Sequence, residues 1–210
     1  MVAAREALQR LRDGNARFTS SVHGSDVFLS RTRRPELSME QHPLAIILGC
    51  SDARVPAEIV FDQGLGDLFV IRVAGNIVAP SQVGSVEFAA DRFGTRLVVV
   101  LGHSRCGAVL ATLDALLSPK ADSHSRNLQS IVDRVRPAVE GLLATNLRDD
   151  YDALVASAVR ANIRASADHL RHGSELLERL IQTDGLLVVG AEYSLETGVV
   201  AFFDPGPTGS

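Results

Sequence analysis

The sequence predicts an α/β fold: a central, mostly parallel β-sheet flanked by helices, with an antiparallel C-terminal edge strand and an N-terminal helical arm. Three observations predict it. Four short apolar runs are bounded by Gly or polar residues, as strands covered on both faces are. The segments between them carry helical spacing. Strand and helix alternate along the chain. With 210 residues and 46% hydrophobic content, the chain can bury one sizeable core, and nothing in its composition divides it into two halves. The expected organisation is a single domain over 1–210, with an arm over 1–40, an α/β core over 41–204 and a flexible tail over 205–210.

Taken in order, Ala7, Leu8, Leu11 and Phe18 lie roughly one helical face apart, although Gly14 and Asn15 interrupt the pattern. A terminal helix with an apolar stripe must cover something, either its own core or a neighbouring subunit. The strand runs are Leu44–Leu48, Leu68–Ile71, Leu97–Leu101 and Leu186–Val189. Helical spacing occupies Ala57–Phe61, Val83–Phe93, Cys106–Leu117 and a long region from about Asn127 to Gln182, with 118–126 the most loop-like interior stretch. Val199–Phe203 follows the turn signal Glu196-Thr197-Gly198 and is expected to return as the antiparallel edge strand beside Leu186–Val189.

Charge narrows the partners. Lys and Arg total 21 against 25 Asp and Glu, a net charge of −4 with no block of like charge. No electrostatic footprint for nucleic acid or an anionic membrane results, and small molecules or copies of the chain itself are the expected partners. The first 18 residues carry Arg5, Glu6, Arg10, Arg12 and Asp13, which gives them neither the apolar centre of a signal peptide nor a membrane span. A cytoplasmic location is expected, where a disulfide between the two cysteines is disfavoured and their thiolates stay available to a metal.

Both cysteines stand in polar company just past strand ends: Cys50-Ser51-Asp52-Ala53-Arg54 and His103-Ser104-Arg105-Cys106. In open α/β sheets ligands collect at the carboxyl ends of strands. Two thiolates and an imidazole suit Zn²⁺, and three protein ligands leave a fourth tetrahedral position open, as catalytic rather than structural sites do. The i, i+3 spacing of His103 and Cys106 can place both on one helical face. Two thiolates make the ion a milder Lewis acid than three imidazoles would, so a water bound there ionises less readily and activity should rise toward alkaline pH. Asp52 either coordinates the ion or accepts a hydrogen bond from a hydroxide on it, and an Arg54 fork holding the carboxylate would keep the position open. Gly107 opens a helix: its N–H can face the metal and an anion, or the glycine serves close packing.

Four ordered motifs carry a resemblance over most of the chain: Cys50-Ser51-Asp52-Ala53-Arg54-Val55-Pro56, Arg72-Val73-Ala74-Gly75-Asn76, Gly84-Ser85-Val86-Glu87-Phe88-Ala89 and Gly102-His103-Ser104-Arg105-Cys106-Gly107. With them the chain resembles the β-class carbonic anhydrases, zinc enzymes that interconvert carbon dioxide and bicarbonate. The resemblance implies one Zn²⁺ per subunit on Cys50, His103 and Cys106, an Asp52–Arg54 catalytic dyad, and hydrogen bonds from Gln41 and the Gly107 N–H to a ligand on the zinc. It implies an apolar pocket from Phe69, Ala74 and Phe88, built partly by a second subunit, in a homodimer or homotetramer. Apolar walls suit carbon dioxide and accommodate charged bicarbonate poorly.

A proton shuttle has candidates in His23, His42, His124, His169 and His172, each read more simply as a surface or helix histidine. A subset of the family inhibits itself through a second bicarbonate site of Trp, Arg and Tyr. Here Ile47 stands at the Trp position beside Arg72 and Tyr193, and the chain has no Trp, so that site is expected to be absent or weak. Two other functions fit the same residues: hydrolysis of carbonyl sulfide or carbon disulfide on this scaffold, and a non-catalytic zinc or redox-sensing module. The latter gives no reason for Asp52, Arg54 and Gln41 to be present together.

Overall fold

The computed structural model describes residues 2–20, 38–118 and 125–203. The expected 205–210 tail, His23 and His124 lie outside the described residues. Five strands form one sheet in the order β2-β1-β3-β4-β5: β1 (Ala45–Gly49), β2 (Leu68–Arg72), β3 (Leu97–His103), β4 (Leu187–Tyr193) and β5 (Val200–Phe202). β1 pairs in parallel with β2 and β3, and β3 with β4, while β5 is antiparallel to β4. The fold class is the one expected. β3 and β4 run further than their apolar runs, through Gly102-His103 and Gly190–Tyr193, because the parallel ladder keeps pairing where hydrophobicity falls.

Strand periodicity splits the core in two. Ile46, Leu48, Val98, Val100 and Val188 face one layer, and Ala45, Ile47, Leu97, Val99, Leu101, Val189 and Ala191 face the other. The first layer is covered by α3 (Pro80–Arg92), α4 (Gly107–Leu117), α5 (Arg126–Val139), α6 (Tyr151–His172) and α7 (Glu175–Thr183), and the second by α1 (Ala4–Thr19) and the short α2 (Ala57–Val60).

The long helical region expected from Asn127 to Gln182 is three helices separated by short 3₁₀ turns and a cap. Asp150 and Ser174 each accept a hydrogen bond from the backbone N–H three residues on (Ala153, Leu177), which starts a new helix. Apolar periodicity reads straight through such boundaries. α5 likewise begins on a Ser125 cap, and α3 opens on Pro80 in the first helical turn, where a missing N–H costs nothing.

α1 covers its own sheet: Ala4, Ala7, Leu8 and Leu11 are buried in the second core layer. Gly14 and Asn15, which break the apolar stripe in the sequence, are its docking points. A Cβ on Gly14 would sit 1.8 Å from the Phe61 carbonyl oxygen, so only glycine allows the approach. Asn15 is buried; its Nδ2 donates to the carbonyls of Val60 (3.0 Å) and Gly198 (2.9 Å), and its Oδ1 accepts the Val200 N–H (2.8 Å). Asn15→Ala leaves three backbone groups unpaired and should cost roughly 2–4 kcal/mol, well above a surface change. Urea unfolding at unchanged m-value measures it; a loss below about 0.5 kcal/mol would show that Asn15 does not anchor the helix.

Candidate metal centre

The β1–β3 register sets Gly49 beside Leu101, so the residues leaving both strands emerge together at the carboxyl end of the sheet. Cys50 follows β1, His103 ends β3, and Cys106 is the N-cap residue of α4. His103 and Cys106 do not share a helical face as their spacing suggested: a tight turn with Arg105 at φ 54° carries the chain from strand to helix and brings them together. The ligand atoms of Cys50, His103 and Cys106 all lie within 4.8 Å of one another, and all three residues are buried. The two sulfurs are 4.0 Å apart in free cysteines.

The donor set fits a soft-to-borderline cation. His103 Nδ1 lies 3.0 Å from the Ser104 carbonyl oxygen, which can only accept, so Nδ1 carries a proton and the neutral ring has its lone pair on Nε2. Nε2 is fully buried without a hydrogen-bond partner, an arrangement that burial penalises unless an ion completes it. The sulfurs tell the same story. The Cys106 thiol hydrogen-bonds Cys50 and brings it down to about 4, while the same contact, together with burial, pushes Cys106 well up. Two thiolates this close cannot both ionise without a cation between them. The N–H groups of Ala108 and Val109 at the start of α4 favour the Cys106 thiolate in part.

Asp52 and Arg54 stand at the rim. Arg54 grips the carboxylate with Nε to Oδ1 (2.9 Å) and Nη2 to Oδ2 (2.7 Å), and its own backbone N–H adds a bond to Oδ1 (3.0 Å). Those bonds hold the Asp52 carboxyl well below the usual carboxylate range. Oδ2 is 3.7 Å from His103 Nε2, so the carboxylate borders the ligand cluster while both oxygens are committed to Arg54. Arg72, singled out in the sequence as a motif residue and as the arginine of the second bicarbonate site, ties down this loop: Nε donates to the Cys50 carbonyl (3.0 Å) and Nη2 to that of Asp52 (2.5 Å). Its position at the last residue of β2, one strand away, was the available signal.

Ala74 and Gly107 lie together beside the cluster, lining an apolar pocket of about 230 Å³ with Ala108, Ala111, Leu128, Ile131 and Val132. A Cβ on Gly107 would meet nothing within 4 Å, so close packing is not the reason for this glycine. The α5 residues of the pocket were not singled out in the sequence, because their spacing reads as ordinary core.

Three expected site residues lie elsewhere in the chain. Phe69 pairs with Ile46 near the amino end of the strands, roughly 13 Å along the sheet from Cys50. It packs with Phe93 and the exposed Phe88, ring centroids 5.5–6.3 Å apart. Gln41 is exposed ahead of β1, with the length of that strand between it and Cys50. Of the expected histidines, His42 is exposed beside Glu40, and His169 and His172 are exposed in the last turn of α6. Ile47 is fully buried in the second core layer, Tyr193 packs against Phe18 there, and Arg72 is engaged as above.

Comparisons with known proteins agree with this geometry. The family model described as Carbonic anhydrase matches residues 45–200. The chain is 45% identical to a carbonic anhydrase of Mycolicibacterium smegmatis over 92% of its own length and 90% of the relative's, and 37% identical to carbonic anhydrase 2 of Mycobacterium tuberculosis over 91% and 89%. Among solved structures, it superposes on the β-carbonic anhydrase CafA of Aspergillus fumigatus with a TM-score of 0.74 at 25% identity, covering 94% of this chain and 89% of that one. The β-carbonic anhydrase CcaA gives 0.73 at 28% identity, covering 94% and 95%. A tetrameric β-carbonic anhydrase of Sordaria macrospora shares the fold, at 0.73, 24% identity and coverage of 83% and 88%. With the Cys-His-Cys cluster at the carboxyl edge of a five-stranded, mostly parallel sheet, these matches place the chain in the β-class carbonic anhydrase family of enzymes.

Proposed function

We propose that this protein catalyses the reversible hydration of carbon dioxide to bicarbonate and a proton, with one Zn²⁺ per subunit held by Cys50, His103 and Cys106. The observation that carries the reading is the buried, unpartnered lone pair of His103 Nε2 beside two sulfurs 4.0 Å apart, with the Asp52–Arg54 pair at its rim. When bound, the ion would acidify a water so that it attacks carbon near neutral pH.

The chain's own residues supply the rest. Arg54 keeps both Asp52 oxygens turned to itself, which leaves the carboxylate an acceptor at the rim rather than a fourth ligand. An ionised carboxylate there can only accept, so it orients an attacking water by taking a hydrogen bond from it. Arg72 fixes the backbone that sets both Cys50 and Asp52. The N–H of Gly107, at the open start of α4, offers a donor to product anion, and Ala74 with its neighbours offers an apolar wall to a small uncharged substrate. Ile47 in the buried core removes one means of trapping bicarbonate away from the site and drawing Asp52 toward the metal.

Gln41, Phe69 and Phe88 lie toward the amino end of the strands, away from their own cluster, and this supports a homodimer or homotetramer in which a second copy supplies them. A reducing compartment keeps both free cysteines available to a metal, and this supports reading the enzyme as cytoplasmic. Among the described residues no helix is long and apolar enough to cross a membrane.

Stopped-flow carbon dioxide hydration on zinc-quantified protein tests the reading. Activity should rise from pH 6 to 9, and Asp52→Ala should lower it on the order of 10- to 100-fold at unchanged zinc content. Zinc-loaded protein that hydrates no carbon dioxide at any pH, or turns over only carbonyl sulfide or carbon disulfide, would sink it. Asp52 contributes no inflection in that range: its depressed carboxyl is ionised throughout, and the Arg54 interaction is lost only as pH falls below the ordinary carboxylate value.

Metal binding provides an independent check. Because Cys106 keeps its proton in the metal-free protein, zinc uptake near pH 7.5 should release at least about one proton and weaken as pH falls. Calorimetry in buffers of different ionisation enthalpy reads the release; a buffer-independent heat would contradict the assignment of both sulfurs as ligands.

A further inference from the structure

Between β2 and α3 the chain passes through Ala74–Asn76, where Gly75 and Asn76 are both left-handed, at φ 72° and 43°. A Cβ on Gly75 would lie 2.9 Å from that of Ala108, so both backbone conformation and space reserve the position for glycine. The Gly75 N–H points at Cys50 Sγ, 3.4 Å away. Its carbonyl accepts a hydrogen bond from Asn162 Nδ2 at 2.8 Å, across 87 residues of sequence.

Asn162 is an unusual occupant of its place. It sits midway along α6, 2% exposed, on the face formed by Val155, Ala158, Val159 and Ile163. A buried amide there is costly unless its bonds are made, and filling space would be done better by an apolar side chain. The adjacent Ile163 fills the space over Gly102, where a Cβ would come within 2.5 Å of it. One turn of α6 therefore abuts both Gly75, the residue whose N–H donates to Cys50, and the residue before His103.

We propose that Asn162 is a positioning residue of the metal centre: by holding the Gly75 carbonyl it keeps the Gly75 N–H aimed at the Cys50 sulfur, and so sets how strongly that ligand donates to the ion. This rests on the metal reading above. A hydrogen bond to a thiolate withdraws electron density from sulfur, and such outer contacts orient a ligand as well as tune it. A side chain that merely filled the core would matter only by its volume.

Cobalt-loaded protein separates the two roles, because thiolate-to-cobalt charge transfer reports the energy of the sulfur lone pair directly. In Asn162→Leu, which keeps the branched shape and loses the donor, the band should move to longer wavelength, and Co²⁺ affinity in chelator competition should fall on the order of 10- to 100-fold. Ile163→Val, which alters packing on the same turn and leaves the hydrogen bond intact, should keep the wild-type band. Asn162→Ser shortens the side chain out of reach of the Gly75 carbonyl and should also shift the band; it carries the measurement if the Leu variant does not fold. A wild-type band position with affinity within about twofold in the Asn162 variants would overturn the role of Asn162 alone. Wild-type protein with no thiolate band would overturn the metal reading and this inference with it.

Discussion

The in-register parallel pairing of β1 with β3 is the constraint on which the site depends. It fixes Gly49 against Leu101, so Cys50 and His103 leave neighbouring strands at nearly one level. Everything else follows from having to hold charged or polar groups at that edge. Both β1 and β3 are buried on both faces, so their ladder cannot slip by one residue without turning every side chain into the wrong layer. The precision of the ligand cluster is thus borrowed from the whole sheet rather than built by the loops that carry it.

At the cluster itself, attraction and repulsion are arranged as a site that could hold a cation would have them. Two sulfurs in contact share one proton, and the nearby lone pair of His103 has nothing else to bond. Around this the protein places arginines with separate duties. Arg54 takes the Asp52 side chain and Arg72 the backbone carbonyls on either side of Ser51. Carboxylate and sulfurs can then sit close without the carboxylate collapsing into the ligand sphere, because its oxygens are already satisfied by a group of fixed, planar geometry.

The sequence discloses the strands, the antiparallel return and the grouping of Cys50, His103 and Cys106 well, since each rests on a local signal: an unbroken apolar run, a turn followed by alternation, a cysteine beside polar residues. It discloses helix ends less well, as the region after Asn127 shows, because one capping hydrogen bond outweighs a continuous periodicity. It misleads over His103 and Cys106, whose helical spacing is in fact a strand end and a cap joined by a left-handed residue. It is silent on contacts made across the chain. Asn15 looks like a flaw in an amphipathic helix and Asn162 like an interruption of a core stripe, and both are explained only by backbone groups brought to them from far away.

The bond from Asn15 to Val200 joins residues 185 positions apart and fastens the first helix to the last strand. The consequence concerns the order of events during synthesis. α1 can meet α2, β1 and β3 as soon as they exist, but its docking is complete only when β5 has emerged and the Val200 N–H reaches Asn15. The arrival of the antiparallel strand is therefore what locks the helix made earliest, so the two ends of the described fold are secured in a single late event.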